Sequence, residues 1–133
     1  MEFDAVFVTL VDGEGEALVR FYRDLLGLEP IAYSPNRYAE FRVGGLRLGI
    51  FQPAADQRSQ FYPSPGEPGS SGGMSLCIEV KQLEGAIDRL TELGYPPPGE
   101  IRTASHGREI YAYDPAGNRL ILHEAKTQSF PNC

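Results

Sequence analysis

Two periodicities of hydrophobic residues predict the secondary structure of the first half of the chain. Residues 3–11 are rich in β-branched and aromatic side chains and end at Asp12 and Gly13, which predicts a strand, a turn and a candidate helix N-cap. In residues 14–26 the apolar side chains recur every three or four positions until Gly27, which predicts a helix. Three further strands are predicted at residues 28–34, 38–43 and 46–51.

The same order of elements returns in the second half. Residues 74–80 predict a strand, and apolar side chains from Leu83 to Leu93 share one face of a helix that ends at Gly94. Strands are then predicted at residues 101–103, 109–113 and 119–124. The prolines at 96–98 favour a short or edge position for the first of these three strands.

The two halves align as an internal duplication. Placing Gly45 on Gly117 matches residues 44–52 with residues 116–124, and placing Ala5 on Ser75 matches the two opening strands. A coincidental α+β domain without duplication is the alternative. We predict a single α+β domain, residues 1–133, made of two tandem βαβββ modules. Its parts are module 1 at residues 1–62, a connector at 63–73, module 2 at 74–124 and a tail at 125–133.

Composition and charge limit the number of domains, the expected partners and the expected location of the protein. The connector holds seven glycine and proline residues among its eleven, and the whole chain of 133 residues has room for one ordinary domain. A formal charge of −6 disfavours nucleic acid and anionic membrane surfaces as partners. The opening residues predict no signal peptide, and no apolar run reaches transmembrane length. We therefore expect a cytoplasmic protein.

The two cysteines do not change the expected cytoplasmic location. Cys77 lies in an apolar run and Cys133 is the last residue of the sequence. This arrangement suggests no disulfide framework and is compatible with a reducing compartment.

Four segments of the sequence resemble the vicinal oxygen chelate superfamily, the glyoxalase, bleomycin-resistance and extradiol-dioxygenase group. They are the opening strand that ends in Asp12, FYRDLLGLEP at 21–30, IEVKQLEGAIDRLTELGY at 78–95, and YAYDPAGNRLILHE at 111–124. The resemblance covers nearly the whole chain, and the last segment is the most specific. It implies two βαβββ modules whose sheets curl around a concave cavity, often in a homodimer.

Enzymes of this superfamily usually hold one divalent metal between the first and fourth strands of each module. Carried onto this sequence, the resemblance places the metal ligands at Ala5, Gly49, Ser75 and Ile121. Three of these residues have no side-chain donor, and a single neutral hydroxyl is a poor ligand. We therefore expect no metal cofactor. A divalent metal held by displaced residues such as Cys77 and His123 is the alternative.

If the four ligand-equivalent positions face the cavity, strand alternation predicts which other residues line it. The third strands add Tyr111 and Tyr113, with Ala39 and Phe41 as their partners in module 1. The resulting surface is mainly aromatic and apolar, which suits a small organic molecule. The expected ligand-binding residues are Phe7, Phe41, Phe51, Cys77, Glu79, Arg108, Tyr111, Tyr113 and His123.

Three of these residues are also candidates for catalysis by proton transfer. Glu79 is a candidate general base, His123 a candidate acid or base, and Tyr111 resembles an inward tyrosine of the dioxygenase branch. Each also has a purely structural interpretation, as a solvated carboxylate, a hydrogen-bonded histidine or a packing aromatic. Arg108 is a candidate anion-binding residue or a solvated charge on an exposed loop.

Three functions remain open from the sequence. The first is metal-independent binding of a small apolar or aromatic molecule, similar to bleomycin-resistance proteins. The second is a glyoxalase- or dioxygenase-type enzyme, a lyase, isomerase or oxygenase with displaced or metal-free catalytic residues. The third is a structural or interaction subunit with a filled cavity. The sequence favours the first function, with the small molecule and a second copy of the chain as partners.

Overall fold

The computed structural model describes residues 1–62 and 73–126, and the chain divides into two compact units, Met1–Ser70 and Ser71–Cys133. The predicted connector, except for Gly73, lies outside the described residues, and so does the predicted tail from residue 127 onward. Within the described ranges, no helix combines the length and the apolar composition needed to cross a bilayer.

The first unit is a four-stranded sheet with a helix between its first two strands. Its elements are β1 (Val8–Val11), α1 (Ala17–Leu26), β2 (Ala32–Ser34), β3 (Tyr38–Val43), β4 (Leu46–Phe51) and α2 (Arg58–Phe61). The strand order is β1-β4-β3-β2, with β1 parallel to β4 and the other pairs antiparallel. Helix α2 and the 3₁₀ turn before it, Ala55–Gln57, are not among the predicted elements.

The second unit repeats this plan. Its elements are β5 (Ser75–Glu79), α3 (Leu83–Glu92), β6 (Arg102–Ala104), β7 (Gly107–Tyr113) and β8 (Arg119–Ala125). The strand order β5-β8-β7-β6, again with one parallel pair, matches the order of the first unit position by position. The predicted α+β class and the two tandem βαβββ modules are confirmed.

The first unit differs from the sequence prediction at its start. The parallel ladder to β4 begins only at Val8, so Ala5 precedes the sheet and is exposed. Helix α1 begins at Ala17 because the two residues before it have positive φ, 86° at Gly15 and 57° at Glu16. A left-handed backbone cannot continue a right-handed helix, so the helix is shorter than the predicted residues 14–26.

Strand register gives each sheet two distinct faces. In the first unit β3 and β4 pair Ala39 with Ile50 and Phe41 with Leu48, and all four side chains are buried. We call this buried side of the sheet the helix face of the first unit. Asp12, which follows β1, accepts a hydrogen bond from the N-terminus of α1. The far face is the opposite side of the same strands.

The second unit has the same division. Ile110 pairs with Leu122 and Ala112 with Leu120, all at most 4% exposed, on the helix face covered by α3. The far face carries the alternate residues of β5, β7 and β8. Since one sheet face is filled by the core of each unit, any ligand site within a unit is expected on its far face.

A carboxylate from a neighbouring strand end holds the N-terminus of each long helix. The Asp12 carboxylate accepts hydrogen bonds from the backbone N–H of Leu18 at 3.1 Å and of Val19 at 3.3 Å. The Glu124 carboxylate accepts one from the backbone N–H of Leu83 at 2.9 Å. Neither helix has a side-chain hydrogen bond from its own N-cap residue, so these carboxylates accept from the backbone N–H groups that lack a partner within the helix.

Removal of the Asp12 carboxylate tests this role. We expect Asp12→Ala to lower the free energy of unfolding by about 1–2 kcal/mol, because two buried backbone donors lose their acceptor. Chemical denaturation measures the change, with Asp4→Ala, which removes an exposed carboxylate, as the control. Equal unfolding midpoints for the two variants would contradict the capping role.

Candidate functional site

The four positions equivalent to metal ligands do not form a metal site. Ala5 is outside the sheet, and Gly49 and Ile121 have no side-chain donor. The Ser75 hydroxyl accepts a 2.7 Å hydrogen bond from Arg119 Nε, so its oxygen already faces a positive charge. In the part of the chain that the structure describes, no three His, Cys, Asp or Glu side chains are grouped to hold an ion. These residues do not fit a divalent metal.

Tyr38 occupies the space above Gly49 on the far face of the first unit. A Cβ atom at Gly49 would lie 2.6 Å from the Tyr38 hydroxyl oxygen, which is closer than real Cβ contacts. The sequence places a ligand-equivalent position at Gly49 but does not indicate which side chain covers it. The position is therefore filled by a side chain from the neighbouring strand.

Glu40 connects Tyr38 to Arg47 on the same face. The Tyr38 hydroxyl donates to Glu40 Oε1 at 2.7 Å, and Arg47 donates from Nε at 2.9 Å and from Nη2 at 3.1 Å. The hydrogen bonds from Arg47 and then Tyr38 lower the pKa of Glu40, while burial and then Glu40 raise the pKa of Tyr38. Glu40 is thus held as a carboxylate that balances Arg47.

Gly49→Ala tests the close contact with Tyr38. We expect the added methyl group to displace the hydroxyl and to lower the free energy of unfolding by about 1–3 kcal/mol. In the double variant with Tyr38→Phe the loss should be smaller than the sum of the two single losses. Gly85→Ala is the control, since nothing lies within 4 Å of a Cβ there. Additive losses in the double-mutant cycle would contradict the contact.

Phe41 does not lie on the far face, in contrast to the sequence prediction. It is fully buried on the helix face beside Leu48, and the residue opposite Gly49 is Glu40. The prediction took Phe41 as the repeat partner of Tyr113 in the alignment that matches Gly49 with Ile121. The two-residue turn between β3 and β4 is shorter than the corresponding turn in the second unit, which shifts the pairing by one residue.

The two other phenylalanines predicted for ligand binding contact neighbours within the first unit. Phe7 is 41% exposed, and the Arg47 guanidinium carbon lies 4.2 Å from its ring centroid. Phe51 shares the far face with Gly49, and its ring meets the edge of the Phe61 ring at a centroid distance of 5.1 Å. Neither ring is therefore an isolated ligand-stacking surface.

The far face of the second unit brings together most of the residues predicted for ligand binding. Parallel pairing sets Cys77 beside Ile121 and Glu79 beside His123, and antiparallel pairing sets Tyr111 on the other side of Ile121. Tyr113 lies one row away, beside Arg119, and is 38% exposed. Strand alternation alone predicts this set, because β5, β7 and β8 are regular over these residues.

Two arginines that the sequence analysis missed lie around the Tyr111 ring. The guanidinium carbon of Arg102 is 4.6 Å from the ring centroid, and that of Arg119 is 5.9 Å away. Arg102 Nη1 also donates to the Tyr111 hydroxyl at 3.4 Å. Arg119 is detectable from the sequence, because it is two residues before Ile121 on the same face. Arg102 follows a proline-rich segment whose register the sequence does not define.

Glu79 and His123 form a contact at the other end of this face. Glu79 Oε1 lies 3.3 Å from His123 Nδ1, and the His123 side chain is fully buried. The ring of His106 lies 5.1 Å from the His123 ring, centroid to centroid. Within the described residues, His123 Nε2 is a buried atom with no hydrogen-bond partner. The carboxylate orients the imidazole and leaves Nε2 as its unused nitrogen.

Arg108 lies on the helix face, not beside Tyr111. Its guanidinium donates to Glu84 at 2.7 and 2.9 Å and to Glu124 at 2.8 and 3.0 Å. Arg108 also borders a cleft of about 290 Å³ near the end of β8. Two carboxylates already balance its charge, so the predicted role in binding an anionic ligand has no support from this geometry.

These contacts change the acid–base behaviour of the two carboxylates. The Arg108 hydrogen bonds lower the pKa of Glu84 from its ordinary 4.5 to about 2. The backbone N–H of Leu83 and then Arg108 lower the pKa of Glu124. Because the folded pKa of Glu84 is depressed, its pairing stabilises the fold above pH 4.5, and this contribution disappears as the pH falls towards 2.

Removal of the guanidinium tests this assignment. We expect Arg108→Gln to raise the pKa of Glu84 from about 2 towards its ordinary 4.5, measured by the carbon NMR shift of its side-chain carboxyl. Arg42→Gln, which removes an exposed arginine of the first unit, should leave the Glu84 pKa unchanged. A Glu84 pKa that is the same in Arg108→Gln and in the unaltered protein would show that the pair is not formed in solution.

Cys77 differs from the sequence expectation. It is disulfide-bonded in the structure, whereas the sequence suggested no disulfide framework. A disulfide sulfur is not the thiolate that binds metals.

Comparison with known proteins supports the family assignment. A family model described as the Glyoxalase/Bleomycin resistance protein/Dioxygenase superfamily matches residues 5–122. A comparison with curated proteins returns no match.

Several solved structures share the fold. A lactoylglutathione lyase from Agrobacterium tumefaciens is 24% identical with a TM-score of 0.66, over 98% of this chain and 100% of that chain. A glyoxalase-related enzyme from Fulvimarina pelagi is 24% identical with a TM-score of 0.69, over 92% and 88% of the two chains. A fosfomycin resistance protein from Listeria monocytogenes is 18% identical with a TM-score of 0.68, over 96% and 98%. At these identities the likeness extends to the fold alone.

Proposed function

The chain belongs to the glyoxalase/bleomycin resistance protein/dioxygenase superfamily, and from that premise we propose that it binds a small organic molecule without a metal ion. One observation carries the proposal. The four positions where this superfamily places its metal ligands hold Ala5, Gly49, Ser75 and Ile121, which provide no donor set for a metal. Binding must then depend on side chains alone.

The far face of the second unit supports this function better than that of the first. Tyr111, Tyr113 and Ile121 lie side by side on β7 and β8 and offer ring and alkyl surface, each only partly buried. In the first unit the equivalent space is occupied by Tyr38 and by the Glu40–Arg47 pair. A small molecule with a ring or alkyl portion is the ligand class that matches such a surface.

Ligand titration of the metal-free protein tests this proposal. The full chain, treated with a chelator, is titrated with a panel of small aromatic compounds while amide and side-chain NMR shifts are followed. We expect saturable shifts around Tyr111 and Ile121 that EDTA does not abolish. Tyr111→Ala should weaken binding at least about tenfold while the thermal midpoint stays near that of the unaltered protein.

A matched control and a metal titration complete the test. Tyr62→Ala removes another exposed tyrosine, in the first unit, and should leave ligand affinity unchanged. Stoichiometric binding of Ni²⁺, Zn²⁺, Mn²⁺ or Fe²⁺ at micromolar affinity, or ligand binding that requires one of these ions, would overturn the proposal.

One further observation favours a second candidate function, metal-free proton transfer. Glu79 contacts His123 Nδ1, and His123 Nε2 has no partner within the described residues. In such a pair Nε2 takes a proton from a carbon acid, the electron pair of the C–H bond stays on the substrate as an enolate, and the carboxylate stabilises the imidazolium.

Hydrogen exchange into carbon acids distinguishes this function from binding alone. The protein is incubated in D₂O with a panel of α-hydroxy ketones, and deuterium incorporation at carbon is followed by NMR. Exchange above the uncatalysed rate that is lost in His123→Gln and reduced in Glu79→Gln, with the fold retained, would establish proton transfer. Equal exchange with and without the protein would exclude it for these compounds.

A further inference from the structure

A small polar cavity lies in the first unit, between α1 and the ends of β3 and β4. Its walls include Val19 of α1, Tyr38 at the start of β3, and Ile50 and Phe51 at the end of β4. The cavity offers a volume of about 10 Å³ to the centre of a water molecule. This is close to the smallest volume in which a protein holds one water. A molecule much larger than water therefore does not fit.

Backbone hydrogen bonds fix the two polar residues that concern us in this wall, Asp12 and Gln52. Asp12 follows β1, and its N–H donates to the Phe51 carbonyl at 2.8 Å. Gln52 follows β4, and its N–H donates to the Arg37 carbonyl at 3.0 Å. Both residues line the cavity. The end of the central strand β4 thus brings a carboxylate and an amide to the same small space.

Gln52 presents a buried acceptor that lacks a donor. Its side-chain oxygen, Oε1, has no hydrogen-bond partner within the ranges that the structure describes. The Asp12 carboxylate lines the same cavity, but a carboxylate and an amide oxygen both accept hydrogen bonds and cannot satisfy each other. A buried acceptor without a donor costs free energy. The cavity therefore favours a small molecule that donates hydrogen bonds in two directions.

We propose that this cavity binds one ordered water molecule, which donates hydrogen bonds to Gln52 Oε1 and to the Asp12 carboxylate. Buried waters in proteins typically bridge polar groups that otherwise lack a partner. The water connects the carboxylate that caps α1 with the end of β4, so it joins the helix to the central strand of its sheet. The inference concerns the first unit alone and does not depend on the proposed binding function.

The charges around the cavity favour water over a cation. The Asp12 carboxylate already accepts two N–H groups from the first turn of α1, which is the positive end of the helix dipole. Glu16, the other acidic residue of the wall, accepts from the Tyr33 hydroxyl at 2.8 Å and from the Asn36 N–H at 3.1 Å. Arg37 also borders the cavity and adds positive charge. A neutral donor avoids repulsion from these groups.

Water–protein contacts measured by NMR on the full chain test the site. In the unaltered protein we expect nuclear Overhauser cross-peaks between water and the backbone amide protons of Leu18 and Val19, with the sign of a long-lived bound water. Gln52→Met keeps a side chain of similar length without the amide, and it should abolish these cross-peaks. Gln57→Met, the matched control at an exposed position outside the cavity wall, should retain them. Tyr38→Phe should also retain them, because they do not arise through an exchanging hydroxyl.

A second variant and a salt titration complete the test. Val19→Ile adds a methylene group to the cavity wall and should abolish the same cross-peaks with Gln52 in place. If the cross-peaks are absent in the unaltered protein, or persist in both Gln52→Met and Val19→Ile, the water site is wrong. Saturable shifts of the Leu18 amide with sodium, potassium or ammonium chloride, but not with choline chloride at equal ionic strength, would show a cation site and overturn the proposal.

Discussion

The pairing of one central strand with both of its neighbours determines the chemistry of each unit. β4 and β8 are each parallel to one neighbouring strand and antiparallel to the other. Their register therefore determines which side chains of the three strands lie next to one another. A shift of one residue would exchange the two faces and could bury Arg47 in place of Leu48, or Arg119 in place of Leu120. The buried helix face makes such a shift costly, and this constraint keeps Tyr111 and Glu40 on the far faces.

Regular alternation made much of this structure predictable from the sequence. The βαβββ order, the two long helices and the set around Ile121 follow from periodicity and from turns marked by glycine. Phe41 was assigned to the wrong face because the two halves differ in hairpin length, which the resemblance between them conceals. Arg102 was missed because the prolines at 96–98 interrupt any pattern that sets the register of β6. For Arg108 the sequence left anion binding and a solvated charge open, because its partner Glu84 lies 24 residues away and no local pattern identifies the pair.

The far faces of the two units differ in the residue that accompanies the arginine. A guanidinium carries a permanent positive charge that neither chelation nor neutral pH removes, and it offers directional donors where an ion offers only coordination. In the first unit this charge is cancelled by Glu40, so it contributes to stability alone. In the second unit a neutral tyrosine, Tyr111, stands at the same place. The two modules therefore share a backbone and differ in electrostatic function.

The close fit of Tyr38 over Gly49 limits which residues position 49 accepts. A carboxylate or imidazole at this position must displace the tyrosine hydroxyl, and with it one hydrogen bond of Glu40. A metal ligand can therefore be introduced at position 49 only together with a smaller residue at position 38. Engineering of a metal site into this module thus begins at Tyr38 and not at the ligand position itself.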